Sequence, residues 1–353
     1  MNEELEKFLK NNPELRFVDV LLPDICNIVR GKRIPRDDLA KVYGDGLQVP
    51  SSIYLLDVNG RGTDAGGRGF SDGDPDVKVR PVPGSLNLVP WGPPGAGQVL
   101  GSLYELDDSA CLVDPRHVLG GVVERLRESG LHPVVALELE FYLIDAASAD
   151  EGRPRPPVLP DTGRRASATQ VYSLADLDGF TRFLSEVETT CQAQGVPLGA
   201  TTAEYAVGQY EINLQHVDDP LCAADHAILL RRAVQGLARG HDAVATFMAK
   251  PYPEDAGNGL HVHVSVMDDK GYNVFDNGSS EGSIQLRQAV AGMLDLLPQS
   301  MAVFAPNVNS YRRFAPNLYV PTGPTWGYNN RSVAVRIPAG DNTARRIEHR
   351  MAG

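Results

Sequence analysis

The chain has 353 residues, 42% of them hydrophobic and 22% charged, a composition that argues against disorder and fits a globular protein of one large or two modest domains. Its net charge of −12 opposes a polyanionic backbone, so nucleic acid is not expected as a partner. Cys26, Cys111, Cys191 and Cys222 lie far apart without a C-x-x-C pair, which supports neither a disulfide framework nor a zinc knuckle. The N-terminus has a Leu5/Phe8/Leu9 stripe but no apolar signal region, and no span is apolar enough to cross a bilayer, so the expected compartment is the cytoplasm and no membrane partner is expected.

From residue 15 to about 104, short β-like runs such as 16–22 and 28–34 alternate with turns and predict a small β-rich N-terminal domain. Between Asp57 and Asp76 the glycines at 60, 62, 66, 67, 69 and 73 predict a flexible loop; no G-K-[ST] follows, so it is not a phosphate-binding P-loop. A second domain opens near residue 108. Asp114-Pro115 reads as an N-cap and N1 proline, with Val118, Leu119, Val122, Val123 and Leu126 on an apolar helix face and Gly130 as the stop. The run 134–144 alternates as a strand, with Leu137, Leu139, Phe141 and Leu143 on one side and Glu138, Glu140 and Tyr142 on the other. The Pro- and Arg-rich stretch 151–170 predicts a loop. Helices are expected at about 178–194 (Phe180, Phe183, Leu184 and Val187 inward, Gly195 as stop), at 223–241, and at 284–297 ended by Pro298. Strands at 204–215, 260–266 and 332–337 complete an α+β catalytic domain.

Two glutamates at i and i+2, Glu138 and Glu140, share a strand face and repel unless a cation lies between them. The apolar flanks place that face in an interior, against the alternative of a solvated polar surface. His261 and His263 repeat the geometry, and Gly257 and Gly259 upstream permit close backbone approach; the pair reads as metal ligation or phosphate contact. Glu204 and Glu211 flank Gly208-Gln209, so a turn or bulge must intervene before both reach one cavity. With Glu348 these make five carboxylates and an imidazole, a mostly oxygen donor set that suits Mg²⁺ or Mn²⁺ better than zinc. Arg312, Arg313, Arg331, Arg336, Arg345, Arg346 and Arg350 form a basic cluster in an acidic chain. On an extended run Arg346, Glu348 and Arg350 share one face and Arg345, Ile347 and His349 the other. Arginines opposite a carboxylate metal site suggest a bound polyanion, most simply a nucleoside triphosphate. His117, His132, His216, His226 and His241 read as structural, the last three without acidic partners at useful spacing.

Glu138-Leu-Glu140-Phe-Tyr, Gly208-Gln-Tyr-Glu211, Asn258-Gly-Leu-His261-Val-His263, Asn309-Ser-Tyr-Arg-Arg313, Asn330-Arg331-Ser and Arg346-Ile-Glu348-His-Arg350 occur in an order that resembles the type I glutamine synthetases over essentially the whole chain. Ser167-Ala-Thr-Gln-Val-Tyr172, Phe247-Met-Ala-Lys-Pro-Tyr-Pro253 and Pro306-Asn-Val-Asn-Ser-Tyr-Arg-Arg-Phe314 are similar in wording to γ-glutamylputrescine and other γ-glutamylpolyamine synthetases. The resemblance implies an α+β fold: a β-grasp-like domain over 1–107, then a catalytic domain over 108–353 with a curved antiparallel sheet flanked by helices. It also implies a C-terminal helical part that this chain, ending at Gly353, lacks. By position it puts Glu140, Glu204 and Glu211 on one divalent metal, Mg²⁺ or Mn²⁺, and Glu138, His261 and Glu348 on a second. ATP falls to His263, Ser265, Arg331, Arg336 and Arg346, and glutamate to Gly257, Arg313 and Arg350, with Arg331 and Arg313 in catalytic roles. The implied reaction makes a γ-glutamyl phosphate that an amine converts to an amide, in a homo-oligomer of two hexameric rings with sites shared between subunits.

Two departures bear on the amine. Ammonia-using members carry Asp-Gly-Ser-Ser where this chain has Val49-Pro50-Ser51-Ser52, and a flap glutamate where it has Tyr319. An amine pocket of Val49, Ser51, Tyr172 and Tyr319 lacks both anions and suits a putrescine-like polyamine better than ammonium. The alternatives are a glutamine synthetase using ammonia and a non-catalytic scaffold; a cupin-like Fe(II) oxygenase using His261 and His263 is argued against by the seven arginines and five acids.

Overall fold

In the computed structural model, which describes residues 2–149, 152, 154–168, 170–316, 318–340 and 343–353, the chain divides into two units, Met1–Glu124 and Arg125–Gly353. The first begins with α1 (Glu3–Asn11), where Asn2 caps the N-terminus by accepting from the Leu5 N–H, Glu3, Glu4 and Glu6 occupy the first turn and Lys10 the last. That charge order complements the helix dipole, and the Leu5/Phe8/Leu9 stripe packs into the unit's core. There follow β1 (Phe17–Pro23), β2 (Val29–Pro35), α2 (Leu39–Gly44), β3 (Leu47–Pro50), β4 (Asp76–Pro81), β5 (Asn87–Leu88) and β6 (Ala96–Tyr104). They make one sheet in the order β2-β1-β6-β4-β3, with β5 also on β6. β1 runs parallel to β6 and the remaining pairs are antiparallel. Its core gathers Val18, Val20 and Leu22 of β1, Val77 and Val79 of β4, and Val99 and Leu103 of β6. No strand forms in the glycine-rich run between Asp57 and Asp76.

The unit division falls within α3 (Pro115–Glu128), which starts at the proline expected. Its apolar face is narrower than the sequence pattern suggests: Val123 is 3% exposed, but Val118 and Val122 are 56% and 40% exposed. Leu119, Val123 and Leu126 form the inward ridge at i, i+4 and i+7, and the adjacent i, i+4 ridge of Val118 and Val122 is turned outward.

The second unit contains β7 (Leu131–Asp145), α4 (Leu174–Asp178), α5 (Thr181–Ala193), β8 (Leu198–Ala203), β9 (Gln209–Leu214), α6 (Pro220–Ala238), β10 (Ala243–Thr246), β11 (Leu260–Asp268), α7 (Ile284–Phe304), α8 (Val308–Arg312), β12 (Trp326–Tyr328), β13 (Val335–Ile337) and β14 (Ile347–His349). Its eight-stranded sheet has the order β12-β13-β14-β11-β7-β9-β8, with β10 continuing along β7. Every pair is antiparallel except β12 with β13. This is an α+β unit with a curved sheet flanked by helices. Leu139, Phe141 and Leu143 of β7 are buried on the helix-covered face, where Phe141 packs on Phe247 and Tyr210.

Two expectations are corrected in this unit. The strand expected over 204–215 is two: β8 ends at Ala203, Glu204 lies in the connection, and β9 starts at Gln209. The reversal turns on Gly208, which has a φ of +76° and at which a Cβ would lie 2.8 Å from the Leu143 carbonyl oxygen, leaving no comfortable room for a side chain. Pro298 does not end its helix. α7 runs on to Phe304, because the proline sits on the exposed side while Leu297, Met301 and Phe304 hold the next turn onto the core; solvent can then meet the carbonyl that lost its donor. Of the loop expected over 151–170, residues 151, 153 and 169 lie outside the described residues. Among the described residues no helix is long and apolar enough to cross a membrane.

Candidate active site

Register across the sheet decides which polar side chains meet. β7 lies between β11 and β9, so Glu138 stands opposite His261 on one side and Asn213 on the other. One step along the same face, Glu140 stands opposite Glu211, and Glu211 opposite Thr202 of β8. On the far side His263 pairs with Glu348 of β14, and Glu348 with Arg336 of β13. Residues of six strands thus converge on one face, and those of β7, β8, β9, β11 and β13 line a cleft of about 760 Å³. Glu138, Glu140, Glu204, Glu211, His261 and His263 form one part of its wall, and five of the seven singled-out arginines, Arg313, Arg331, Arg336, Arg346 and Arg350, form another.

The charges are partly matched within the protein. Glu138 takes His261 Nδ1 at 2.9 Å and His263 Nε2 at 2.8 Å. Burial alone would raise its carboxyl, but the two imidazoles outweigh burial and hold it well below the usual carboxylate range. Arg346 Nε in turn donates to His263 Nδ1 at 3.2 Å. Glu348, 1% exposed, receives Arg336 Nη1 at 2.7 Å and also Arg350 Nη1. Burial again acts to raise this carboxyl and is overcome, first by Arg350 and then by the imidazoles and Arg336. Glu140 accepts from the Gly259 N–H at 2.8 Å and from Gln209 Nε2 at 3.4 Å.

At Glu204 and Glu211 the compensation, from Arg331 and Arg350 respectively, is outweighed. Burial, followed by the neighbouring carboxylates, pushes Glu204 up to about 7 and Glu211 up to about 9. Carboxyls raised by burial and by one another are what a cation site presents without its cation. Glu138, His261 and Glu348 each offer a donor atom within 4.8 Å of the others, and so do Glu140, Glu211 and His261. The oxygen-rich sets fit a hard divalent cation. His261 belongs to both, and Glu204 lines the same cleft without joining either donor group.

A stability test follows from the raised pair. A carboxyl whose pKa is higher folded than its ordinary value of 4.5 stabilises the fold fully below 4.5, and that contribution is lost as pH rises through about 7 and about 9. The metal-free protein should therefore melt at lower temperature as pH rises through this window. Mg²⁺ or Mn²⁺ should offset the loss, raising Tm by about 5–10 °C at roughly hundredfold excess over Kd, with the larger gain at the alkaline end. A gain independent of pH in a thermal-shift titration would contradict the assignment of Glu204 and Glu211.

Arg313, 2% exposed, is fixed by donating Nη1 to the Met351 carbonyl at 2.9 Å and Nη2 to the Arg350 carbonyl at 3.0 Å. Burial lowers its guanidinium to about 10. Gly257 lines the cleft beside it, where a Cβ would lie 2.5 Å from the Ala249 carbonyl and 2.8 Å from the Arg313 stem. Arg350 Nη2 donates to the Tyr319 carbonyl at 3.3 Å. Tyr319 and Tyr172 both line the cleft and both hold positive φ, +53° and +63°, a conformation that costs a non-glycine residue about 1–2 kcal/mol.

The remaining sequence candidates fall elsewhere. Ser265 shares the β11 face with the histidines and is buried, but it is not among the described residues lining the cleft. Arg312 is exposed at the end of α8, and Arg345 is turned away, donating to the carbonyls of Ser279 and Ser280. Val49 and Ser51 belong to the N-terminal unit, Val49 in its core and Ser51 hydrogen-bonded to Asp74. His241 is not without an acidic partner: it meets Glu186 at 2.9 Å, 55 residues away in sequence. His216, read as structural, lies edge-on to His263 at 6.2 Å between ring centres. Gln209 and Asn213 were not singled out, although a two-residue period from Glu211 places both on the cleft face. Gln209 also ties the Gly257 carbonyl and Asn258 together. Asn329, with φ +47°, accepts from Arg336 at 3.0 Å.

Residues 112–353 match the glutamine synthetase catalytic domain. The chain belongs to the glutamine synthetase family. Among its relatives, the γ-glutamylputrescine synthetase PuuA of Escherichia coli (strain K12) is 44% identical over 351 residues, 99% of this chain and 74% of the relative. The glutamate–isopropylamine ligase of a Pseudomonas species is 33% identical over 338 residues, 94% of this chain and 72% of the relative. A solved structure of apo GmaS matches with a TM-score of 0.82 at 25% identity, covering 99% of this chain and 76% of that one. In this family member the cleft's carboxylates come from β7, β9 and the β8–β9 connection and its imidazoles from β11, and two of its arginines, Arg336 and Arg350, are braced on the buried Glu348.

Proposed function

We propose that this protein is an ATP-dependent glutamate–amine ligase whose amine is a putrescine-like polyamine. The observation that carries the reading is the single cleft in which four carboxylates and two imidazoles meet five arginines. Such a wall can hold both cations and a triphosphate while bringing a second carboxylate substrate to the same place.

In this reading Glu140, Glu204 and Glu211 hold one Mg²⁺ or Mn²⁺, and Glu138, His261 and Glu348 hold a second. When bound, the cations neutralise the phosphate oxygens during phosphoryl transfer. His263, Ser265, Arg331, Arg336 and Arg346 bind ATP. Arg313, anchored through two backbone carbonyls, joins Arg350 and Gly257 in fixing glutamate. An oxygen of the glutamate γ-carboxylate bonds to the γ-phosphorus as the bond to ADP breaks. The resulting acyl phosphate is attacked by an uncharged amine, which loses a proton as phosphate leaves. Arg331 and Arg313 act here by stabilising charge that develops on the transferring group and on the substrate carboxylate.

Tyr172 and Tyr319 are the proposed amine pocket, supported by the tyrosine at the flap position and by the similarity to a relative named for γ-glutamylputrescine; Val49 and Ser51, 1% and 0% exposed within the N-terminal unit, are not carried into it. Family membership also motivates a cytoplasmic homo-oligomer of twelve subunits with shared sites, which sedimentation would measure. The test of function is phosphate release from ATP and glutamate with Mg²⁺, comparing ammonium, putrescine, spermidine and ethanolamine. A diamine should stimulate at least tenfold more than ammonium; stimulation by ammonium alone would make the protein a glutamine synthetase instead.

A further inference from the structure

The amine end of the cleft carries a third aromatic that neither spacing nor motif brought forward. Tyr205 follows Glu204 in the β8–β9 connection and lines the same cleft as Tyr172 and Tyr319. The three residues are 48%, 56% and 60% exposed, whereas His261 and His263 on the cleft floor are buried. Their backbones are tied to the floor: the Tyr172 N–H donates to the Ala203 carbonyl, one residue before Glu204, and the Tyr319 carbonyl accepts from Arg350. Val171 and Leu318 stand beside them in the lining. The acidic residues among the described lining are Glu138, Glu140, Glu204 and Glu211 alone, all of them in the donor sets or directly adjacent.

A primary alkylamine that reaches the acyl phosphate with one nitrogen projects its chain away from the reacting carbonyl. A diamine carries a second, charged nitrogen on that chain. With the carboxylates committed to the floor, the tyrosine π faces can receive this cation, and the aliphatic neighbours suit the methylenes between the nitrogens. We infer that Tyr172, Tyr205 and Tyr319 form an aromatic cage for the distal ammonium of a diamine substrate, Tyr205 being its specificity-determining member. This rests on the ligase reading above. The positive φ of Tyr172 and Tyr319 fits the role, since a strained backbone at a rim aims side chains that an extended backbone would direct elsewhere.

The cage is tested by comparing 1,4-diaminobutane with n-butylamine, which has the same chain and no distal charge. Both are assayed as substrates with ATP, glutamate and Mg²⁺, with amide product detected by mass spectrometry, for the full chain and for Tyr205→Leu and Tyr205→Phe. The native protein should favour the diamine in kcat/KM by tenfold or more. Tyr205→Leu should cut that preference at least fivefold, through KM for the diamine. Tyr205→Phe, which keeps the ring, should retain the preference. Diamine turnover with an unchanged preference in Tyr205→Leu would overturn the cage and leave the ligase reading standing. Product with ammonium and with neither alkylamine would overturn both.

Discussion

Replacing Glu348 with alanine is expected to destabilise the fold by about 3–5 kcal/mol and to abolish glutamate-dependent phosphate release. Its carboxylate is buried and is the ion-pair partner of Arg336 and Arg350, with His261 Nδ1 3.9 Å away. Removing it leaves two guanidiniums at one point without their shared carboxylate, a larger penalty than the loss of the attraction itself. The two arginines belong to the cleft wall, so loss of folding energy and loss of phosphate binding come from one event. Glu348→Gln separates the contributions. It keeps the shape and an acceptor oxygen, so it should recover part of the stability, yet it lacks the charge needed to brace both arginines and to donate to a cation. Urea unfolding should show the midpoint falling with an unchanged slope in both variants, more for alanine. A Glu348→Ala protein with native stability would mean that the pairs with Arg336 and Arg350 are dispensable.

How much of this site was legible beforehand follows from what a strand's period can and cannot specify. A two-residue repeat assigns faces without knowledge of partners, which is why Glu138 with Glu140, His261 with His263, and Arg346 with Glu348 and Arg350 could be grouped correctly by side. It is silent on register. That Glu138 meets both imidazoles, or that Glu348 is sandwiched between His263 and Arg336, depends on the pairings of β7, β11, β14 and β13, which lie more than a hundred residues apart in part. Period also fails where a strand stops: Glu204 and Tyr205 lie just past β8, so alternation cannot say where they point. Arg312 and Arg313 make the same point at a helix end, adjacent in sequence yet one exposed and the other 2% exposed. Pro298 reads locally as a helix stop, but packing of the following turn outweighs the lost hydrogen bond.

Gly259→Ala should be the most damaging change that removes no functional group. A Cβ there would lie 2.7 Å from His261 Nε2 and 3.1 Å from both Glu140 Oε1 and Arg313 Nη2. The backbone cannot retreat without cost, since the Gly259 N–H donates to the Glu140 carboxylate and the Gly259 carbonyl accepts from the Glu140 N–H at 3.2 Å. The imidazole is the easier group to displace. His261 belongs to both donor sets, so one methyl disturbs both at once, and kcat should drop by roughly 10²-fold or more for about 1–3 kcal/mol of lost stability. The thermal gain from Mn²⁺ should shrink with it. Gly257→Ala offers the contrast, because its Cβ would meet the Ala249 backbone carbonyl and the buried stem of Arg313 rather than the imidazole. It should weaken glutamate binding and the fold before it weakens the metal response. If both variants lost the Mn²⁺ effect equally, the division of the cleft into a cation floor at His261 and a glutamate end at Arg313 would have to be given up.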